Sequence, residues 1–202
     1  MATRTYSSER RAAGAAQTRA DVLESARALF MQHGYAAVTV PRIAARAGVS
    51  VATVYSAVGG KVQLFVALFD AAAGDPAVDE AMQRVTSAPT SAEVLRALGH
   101  GTRLVSERHR WMLTEMYDNA GGDPLIAERL AGAQDDLRGR FTQAARRIHE
   151  LDGAGSDDVD RVVTTLLFFF GVAAWRTLRD EDWDWDDAEQ WLVGRASEAL
   201  SS

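Results

Sequence analysis

Apolar residues recur along this chain at three- and four-residue steps, and the pattern predicts an all-α protein. Residues 38–64, VTVPRIAARAGVSVATVYSAVGGKVQL, read as two short helices joined by a tight turn, then the start of a third. Thr39 is the expected N-cap, with Pro41 in the first turn, where a missing N–H costs nothing. Ile43, Ala44 and Ala47 make a small apolar face, and Gly48 is the left-handed stop. Val49 packs inward and Ser50 caps the next helix, Val51 to Ala57. Alanines along the first helix let the second cross it closely, the arrangement of a helix-turn-helix. Helices this short are unstable alone and need a larger frame.

Val22, Leu23, Ala26, Leu29 and Phe30 form one stripe of a preceding helix over 18–33, ended by Gly34. Thr18 and Asp21 approximate its capping box. Tyr35 and Val38 are expected to pack onto the helix-turn-helix and complete a three-helix head. Beyond Gly59-Gly60, a helix over 61–73 is apolar over much of its girth, which predicts burial on more than one side. Lys61 at its start is placed to hold a phosphate.

A short helix is expected over 77–85. Ser91 caps another with the stripe Val94, Leu95, Leu98, Thr102 and Val105. The pattern leaves open whether this helix breaks near Arg108 or runs on through Trp111, Met112, Met116 and Tyr117. Gly121-Gly122-Asp123-Pro124 is a stop and restart. Ile126, Leu130, Ala133, Leu137, Phe141, Ala144, Ile148 and Leu151 then mark a long regular helix. After a loop from Asp152 and a cap at Ser156, a helix over 157–179 is apolar nearly all round. Its run from Val162 to Trp175, broken by two threonines and a glycine, falls short of a membrane span. An acidic linker over 180–187 leads to a last helix carrying Ala188, Trp191, Leu192, Arg195, Ala196 and Ala199. One face of helix 157–179 would stay wet unless it met another subunit, so helices 157–179 and 187–200 are expected to form a homodimer.

Residues 18–68 resemble the DNA-binding head of TetR-family (tetracycline-repressor-like) transcriptional regulators. The passage Phe30 to Tyr35, then Val38-Thr39-Val40, Ile43-Ala44, Ala47-Gly48-Val49-Ser50, Thr53-Val54-Tyr55, Val58, Lys61 and Leu64-Phe65 carry the likeness. The resemblance implies that Tyr55 and Lys61 touch DNA phosphates and that residues opening the third helix face base edges. It also implies two C-terminal helices pairing with a symmetry mate, and an effector pocket in the C-terminal domain. Two positions depart from the family pattern: Val51 stands where Lys, Arg or Pro is common, and Ser56-Ala57-Val58 replaces an aromatic-rich run. Both reduce the polar contacts to DNA.

The net charge of −6 hides a division. Residues 1–61 hold eight Arg or Lys against three Asp or Glu, a net of +5, which leaves −11 for the remainder. A basic head on an acidic body is the asymmetry of a protein that meets a polyanion at one end. Residues 1–16, polar and basic, are expected to be a flexible arm. The absence of cysteine excludes disulfides and thiolate metal sites. With no apolar signal core at the N-terminus, a cytoplasmic location is expected. His33, His100, His109 and His149 show no metal-ligand spacing. No nucleophile elbow or P-loop is present, so no catalytic residue, metal or cofactor is assigned.

These readings combine into an N-terminal helix-turn-helix head joined to a larger C-terminal helical ligand-binding and dimerisation domain. The boundaries expected are a basic arm over 1–16, a DNA-binding domain over 17–60 and an effector and dimerisation domain over 61–202. The expected DNA-binding residues are Thr39, Arg42, Ser50, Val51, Ala52, Thr53, Tyr55, Ser56 and Lys61. With neither Arg, Asn nor Gln on the recognition helix, methyl and hydroxyl contacts are what it offers the bases, and specificity is expected to rest partly on the arm, on Arg42 and on DNA shape. Trp111, Met112, Met116, Tyr117, Phe141, Phe168, Phe169 and Trp175 are candidates for an apolar effector cavity. Its polar contacts would come from Arg176, with Arg103, His109, Arg110 and Thr165 also available. The function expected is a ligand-responsive regulator, a repressor released from a two-fold double-stranded operator by a small apolar or amphipathic effector. An activator or ligand-independent repressor is the alternative within that class. A helical carrier or enzyme with a vestigial head is the alternative outside it.

Overall fold

A computed structural model describes residues 3–152 and 159–201, whose regular elements are all helical. The chain divides into two packed units: Met1–Ala73 with Asn119–Ile126, and Gly74–Asp118 with Ala127–Ser202.

The first unit opens with α1, Thr3–Ala37, against which α2 (Val40–Ala47), α3 (Val51–Ala57) and α4 (Lys61–Ala73) pack. Its interior holds Val22, Ala26, Phe30, Tyr35, Val38, Ile43, Val54, Leu64 and Phe65, all nearly inaccessible. Phe30, Tyr35 and Phe65 form an aromatic knot, with ring centroids 5.6 Å apart for Phe30–Phe65 and 4.7 Å for Tyr35–Phe65. Gly34 breaks α1 at φ 75° and ψ 159°, a left-handed conformation that suits glycine and turns Tyr35 into the knot. Gly48 ends α2 at φ 68°, and its N–H returns to the Ala45 carbonyl.

Two expectations about this end of the chain are corrected. Residues 3–16 are helical and continue α1 where a flexible arm was expected. The cause is composition: Ala12, Ala13, Ala15 and Ala16 favour helix although 12–17 are exposed, and burial periodicity cannot register an exposed helix. Thr18 is therefore no cap; its hydroxyl donates to the Gly14 carbonyl at 2.9 Å, inside the helix. Second, the boundary expected at residue 60 falls after Ala73 instead. Leu64, Phe65, Leu68 and Phe69 are buried, which ties α4 to the first unit, and residues 119–126 join it as well.

In the second unit α5 (Pro76–Ser87), α6 (Ser91–Asn119), α7 (Pro124–Asp152), α8 (Val159–Phe170), α9 (Val172–Asp180) and α10 (Trp185–Leu200) surround one core. Leu95, Leu98, Phe141, Ile148, Val163, Leu166, Phe170, Trp175 and Leu192 are among its members. α6 does continue past Arg108, with a kink at His109 (φ −117°, ψ 17°). The Thr90 hydroxyl, rather than that of Ser91, meets the N–H of Glu93 at 3.3 Å, and Ser91 donates to Asp152 instead. α5 and α6 approach closely at Gly101, where a Cβ would lie 2.3 Å from the Cβ of Ala81.

The helix expected over 157–179 is two helices. Gly171 separates α8 from α9 with ψ 161°, and its N–H still reaches the Leu167 carbonyl at 3.0 Å. The cap expected at Ser156 and the first two positions of that helix, 157 and 158, lie outside the described residues. Residues Val159–Asp180 are, by length and composition alone, long and apolar enough to cross a membrane, contrary to expectation. Val162, Val163, Leu166, Phe170 and Trp175 spend that apolar character in the core, as buried helices of globular proteins do.

Candidate nucleic-acid interface and the recess in the second unit

The turn between α2 and α3 sets one short helix outward. Ser50 holds extended backbone, and its hydroxyl accepts the Thr53 N–H at 3.0 Å, the bond of an N-cap. Val54 is the buried residue of α3. Val51, Ala52, Tyr55 and Ser56 therefore face away from the core, Tyr55 at 56% exposure. The hydroxyls of Thr53 and Ser56 are engaged locally: Thr53 Oγ1 lies 2.8 Å from Ser50 Oγ, and Ser56 donates to the Thr53 carbonyl. What α3 offers a groove is thus two methyl-bearing side chains, a phenol and hydroxyl lone pairs. This surface suits thymine methyls and phosphates better than bidentate base reading.

Three cations of this unit are each anchored on a carbonyl near a helix C-terminus, one on α3 and two at the end of α1. Arg42 Nη1 donates to Ala37 O at 3.2 Å, and Lys61 Nζ to Ala36 O at 3.1 Å. Arg19 reaches from α1 to Ala57 O at 2.8 Å. Lys61 also sits 4.2 Å above the Tyr35 ring, so its ammonium is held between α1 and α4. Guanidinium groups carry five donors, and one carbonyl engages only part of that set. Arg19 escaped sequence reading because its partner lies 38 residues away.

Thr39 has N-cap backbone geometry without a capping hydrogen bond from its side chain. At the start of α4 the Gly60 N–H is met by Gln63 Oε1 at 3.0 Å, so the chain's own amide occupies part of the helix start assigned to phosphate. Burial, and after it the charge of Asp123, pushes the Tyr35 hydroxyl above its ordinary pKa.

The structure does not gather the proposed effector residues in one place. Met112, Met116, Phe141 and Trp175 are buried, and Phe141 and Trp175 are core members. Trp111, Tyr117, Phe169 and Arg176 are half-buried, and Phe168 is 73% exposed. A shallow recess with room for about one water, about 10 Å³ and partly open to solvent, is lined by Ser106, Arg110 and Leu113 of α6, by Val172, Trp175, Arg176 and Arg179 of α9, and by Trp185. Of the expected residues only Trp175, Arg110 and Arg176 reach it. Arg179 and Trp185 were hidden from pattern reading because the break at Gly171 sets the face that α9 presents.

Around the recess, Arg110 pairs with Asp180 at 3.0 Å and Arg176 with Asp118 at 3.3 Å. Arg103 of α6 bonds to Asp186 and Glu189 of α10, and Asp184 caps α10 through the Asp186 N–H. The acidic run 180–187 thus serves as arginine partners and helix cap. Elsewhere in this unit Asp75 caps α5 and holds the kink of α6, with Oδ1 2.8 Å from Arg108 and Oδ2 2.8 Å from His109. Its burial would raise the carboxyl pKa. The Ala77 N–H, the His109 hydrogen bond and the Arg108 charge outweigh that and hold it below the usual range. Among the described residues no three His, Asp or Glu side chains converge to hold a metal ion.

Residues 22–68, which span α1 from its first core residue to the buried Leu68, match the family model for bacterial regulatory proteins of the tetR family. The whole fold is similar to a structure from Pseudomonas aeruginosa PAO1 described as a transcriptional regulator. TM-score is 0.74, identity 19%, and 91% of this chain and 90% of that one are covered. A TetR transcription regulator from Haloarcula marismortui ATCC 43049 is similar at TM-score 0.71 and 20% identity, over 91% and 96% of the two chains. The SmeT–triclosan complex is similar at TM-score 0.68 and 23% identity, over 91% of each chain. No curated protein matches by sequence.

Proposed function

From the match of residues 22–68 to the tetR-family model, we propose that this chain is a transcriptional regulator that binds a two-fold operator as a homodimer and is released by a small molecule. The observation that carries the reading is the outward face of α3, in a unit where Arg19 is held on the end of α3 and Arg42 and Lys61 on the end of α1. Phosphate contacts from these cations fix register, while Val51, Ala52 and Tyr55 meet the major groove. The acidic second unit is repelled by the same polyanion, which favours docking through the head.

Dimerisation is supported by α8 and α10, which pack on each other and leave Phe168 and Trp191 exposed, at 73% and 43%. A second copy meeting that face as a four-helix bundle would cover both and bring two heads to a two-fold operator. Release follows as a population shift, since an effector that binds better to a conformer with mismatched head spacing weakens DNA binding. Residues 119–126 pack with the first unit while α6 and α7 on either side of them belong to the second, a covalent route for such coupling. The SmeT–triclosan complex is a similar fold with a small molecule bound. Repression and a cytoplasmic site of action complete the proposal.

The test is fluorescence anisotropy with the full chain and DNA flanking its own gene, across a salt series. Tight binding that resists competitor DNA and falls steeply with salt is expected, with the combined variant Arg42→Ala, Tyr55→Phe, Lys61→Ala weakening it and flattening the slope. Binding equal to that of random DNA, or unaffected by the triple variant, would refute the assignment of this face.

A further inference from the structure

The residues of α3, Val-Ala-Thr-Val-Tyr-Ser-Ala, include no Arg, Lys, Asn, Gln, Asp, Glu or His. Each of the strong side-chain pairings with guanine, adenine or cytosine edges needs one of those residues. What the helix turns outward is Val51, 39% exposed, with Ala52, Tyr55 and Ser56, while Val54 is buried. Its hydroxyls are largely engaged within the turn. Ser56 donates its proton to the Thr53 carbonyl, and Ser50 Oγ accepts the Thr53 N–H and pairs with the half-buried Thr53 Oγ1. Residues 3–16, which as an extended arm would have reached a minor groove, continue α1 as helix. Arg42 is held on the Ala37 carbonyl at 3.2 Å, at the end of α1.

Choice among DNA sequences therefore falls on the apolar groups of α3. Positive charge on the head attracts any duplex alike and carries no preference for sequence. Side chains as short as valine and alanine let the helix sit close to the base edges. An isopropyl group and a methyl group gain there only by covering apolar surface. The major groove presents one apolar group that distinguishes base pairs, the C5-methyl of thymine.

We propose that α3 recognises pyrimidine C5-methyl groups, with Val51 and Ala52 packed against them in the major groove. The operator is then defined by where methyls lie rather than by the donors and acceptors of the base edges. 5-Methylcytosine carries its methyl at the same ring position as thymine, so a methylated cytosine substitutes for a thymine. Cytosine methylation thereby changes which sites the protein occupies. The inference rests on the DNA-binding reading of this face and adds what the face recognises.

The test is selection of bound sites by the full chain from three random-sequence duplex libraries. One is copied with dTTP, one with dUTP in its place, and one with dUTP together with 5-methyl-dCTP. The first library is expected to yield a site with fixed thymines, and the second, which has no C5-methyl, to yield none. The third is expected to yield a site with 5-methylcytosine at the positions where the first has thymine. Removing one packed methyl weakens binding about fourfold, so two readers in each half of a two-fold site multiply to a loss on the order of a hundredfold. Fluorescence anisotropy on the selected site should show that loss when its thymines become deoxyuridines. Pairs of 5-methylcytosine with guanine at the same positions should recover most of it, and unmethylated cytosine pairs should not. Val51→Ala, at an exposed position, should shrink the deoxyuridine penalty at one position of each half-site, whereas Lys61→Ala should weaken every duplex alike. Equal binding of the thymine and deoxyuridine sites, or a site selected from the second library, overturns the proposal and keeps the regulator. A site from the first library alone overturns it as well, because the thymine O4 is then read together with the methyl. No site from any library removes the DNA-binding assignment of this face and the proposal with it.

Discussion

Asp75 offers the sharpest test of how the second unit is held together. Its carboxylate, 7% exposed, caps α5 by accepting the Ala77 N–H at 2.9 Å and meets Arg108 and His109 at 2.8 Å each. Replacing it with alanine removes an N-cap, worth about 1 kcal/mol. The half-buried His109 also loses its partner, for about another 1–2 kcal/mol. Arg108, 51% exposed, adds little. The sum is about 2–3 kcal/mol, or roughly 5–10 °C in melting temperature for a chain of this length. Asp75→Asn keeps the capping acceptor and loses only the charge, so it should cost about half as much. Thermal and urea unfolding at fixed protein concentration measure both variants. The folded pKa of Asp75 lies below its unfolded value. Its charge-dependent stabilisation is therefore complete above the unfolded pKa of about 3.9 and is lost as pH falls through the folded pKa. The gap between wild type and Asp75→Asn should accordingly be constant at neutral pH and close in acid. Equal stability of the alanine and asparagine variants, or a gap that persists in acid, would refute this account.

Three further outcomes are expected. Gly101→Ala puts a methyl 2.3 Å from the Cβ of Ala81, which cannot rotate away, and should cost about 1–3 kcal/mol in urea unfolding. Gly99→Ala meets the end of the Val193 side chain instead and should cost less. Ser50→Ala removes the acceptor for the Thr53 N–H and should weaken DNA binding up to about tenfold, while Ser50→Gly loses only a few tenths of a kcal/mol of cap energy. Phe168→Glu, at a position 73% exposed, should leave monomer stability unchanged and raise the dimer dissociation constant about a hundredfold by sedimentation.

Helix ends, caps and stops in this protein are local matters. The extent of α3, the left-handed stop at Gly48, the cap at Ser50 and the restart at Asp123-Pro124 follow from side chains acting within a few residues, and a pattern reader recovers them. The outward face of α3 was legible for the same reason, since a seven-residue helix with one inward valine has little choice of orientation. Tertiary structure decided the rest. An alanine-rich extension with no buried face left no periodic trace, so α1 outran its expected start. A single glycine at 171 divided an apolar run whose composition alone reads as continuous, because Leu167 O lies 2.4 Å from where any Cβ would stand. That break turned Arg179 toward Trp185 and Trp175, residues no spacing rule groups, and left Phe168 facing outward, away from the cavity its composition had suggested. Local signals set which residues are helical; which helix faces meet depends on packing between residues tens of positions apart, and side-chain identity does not encode that geometry one position at a time.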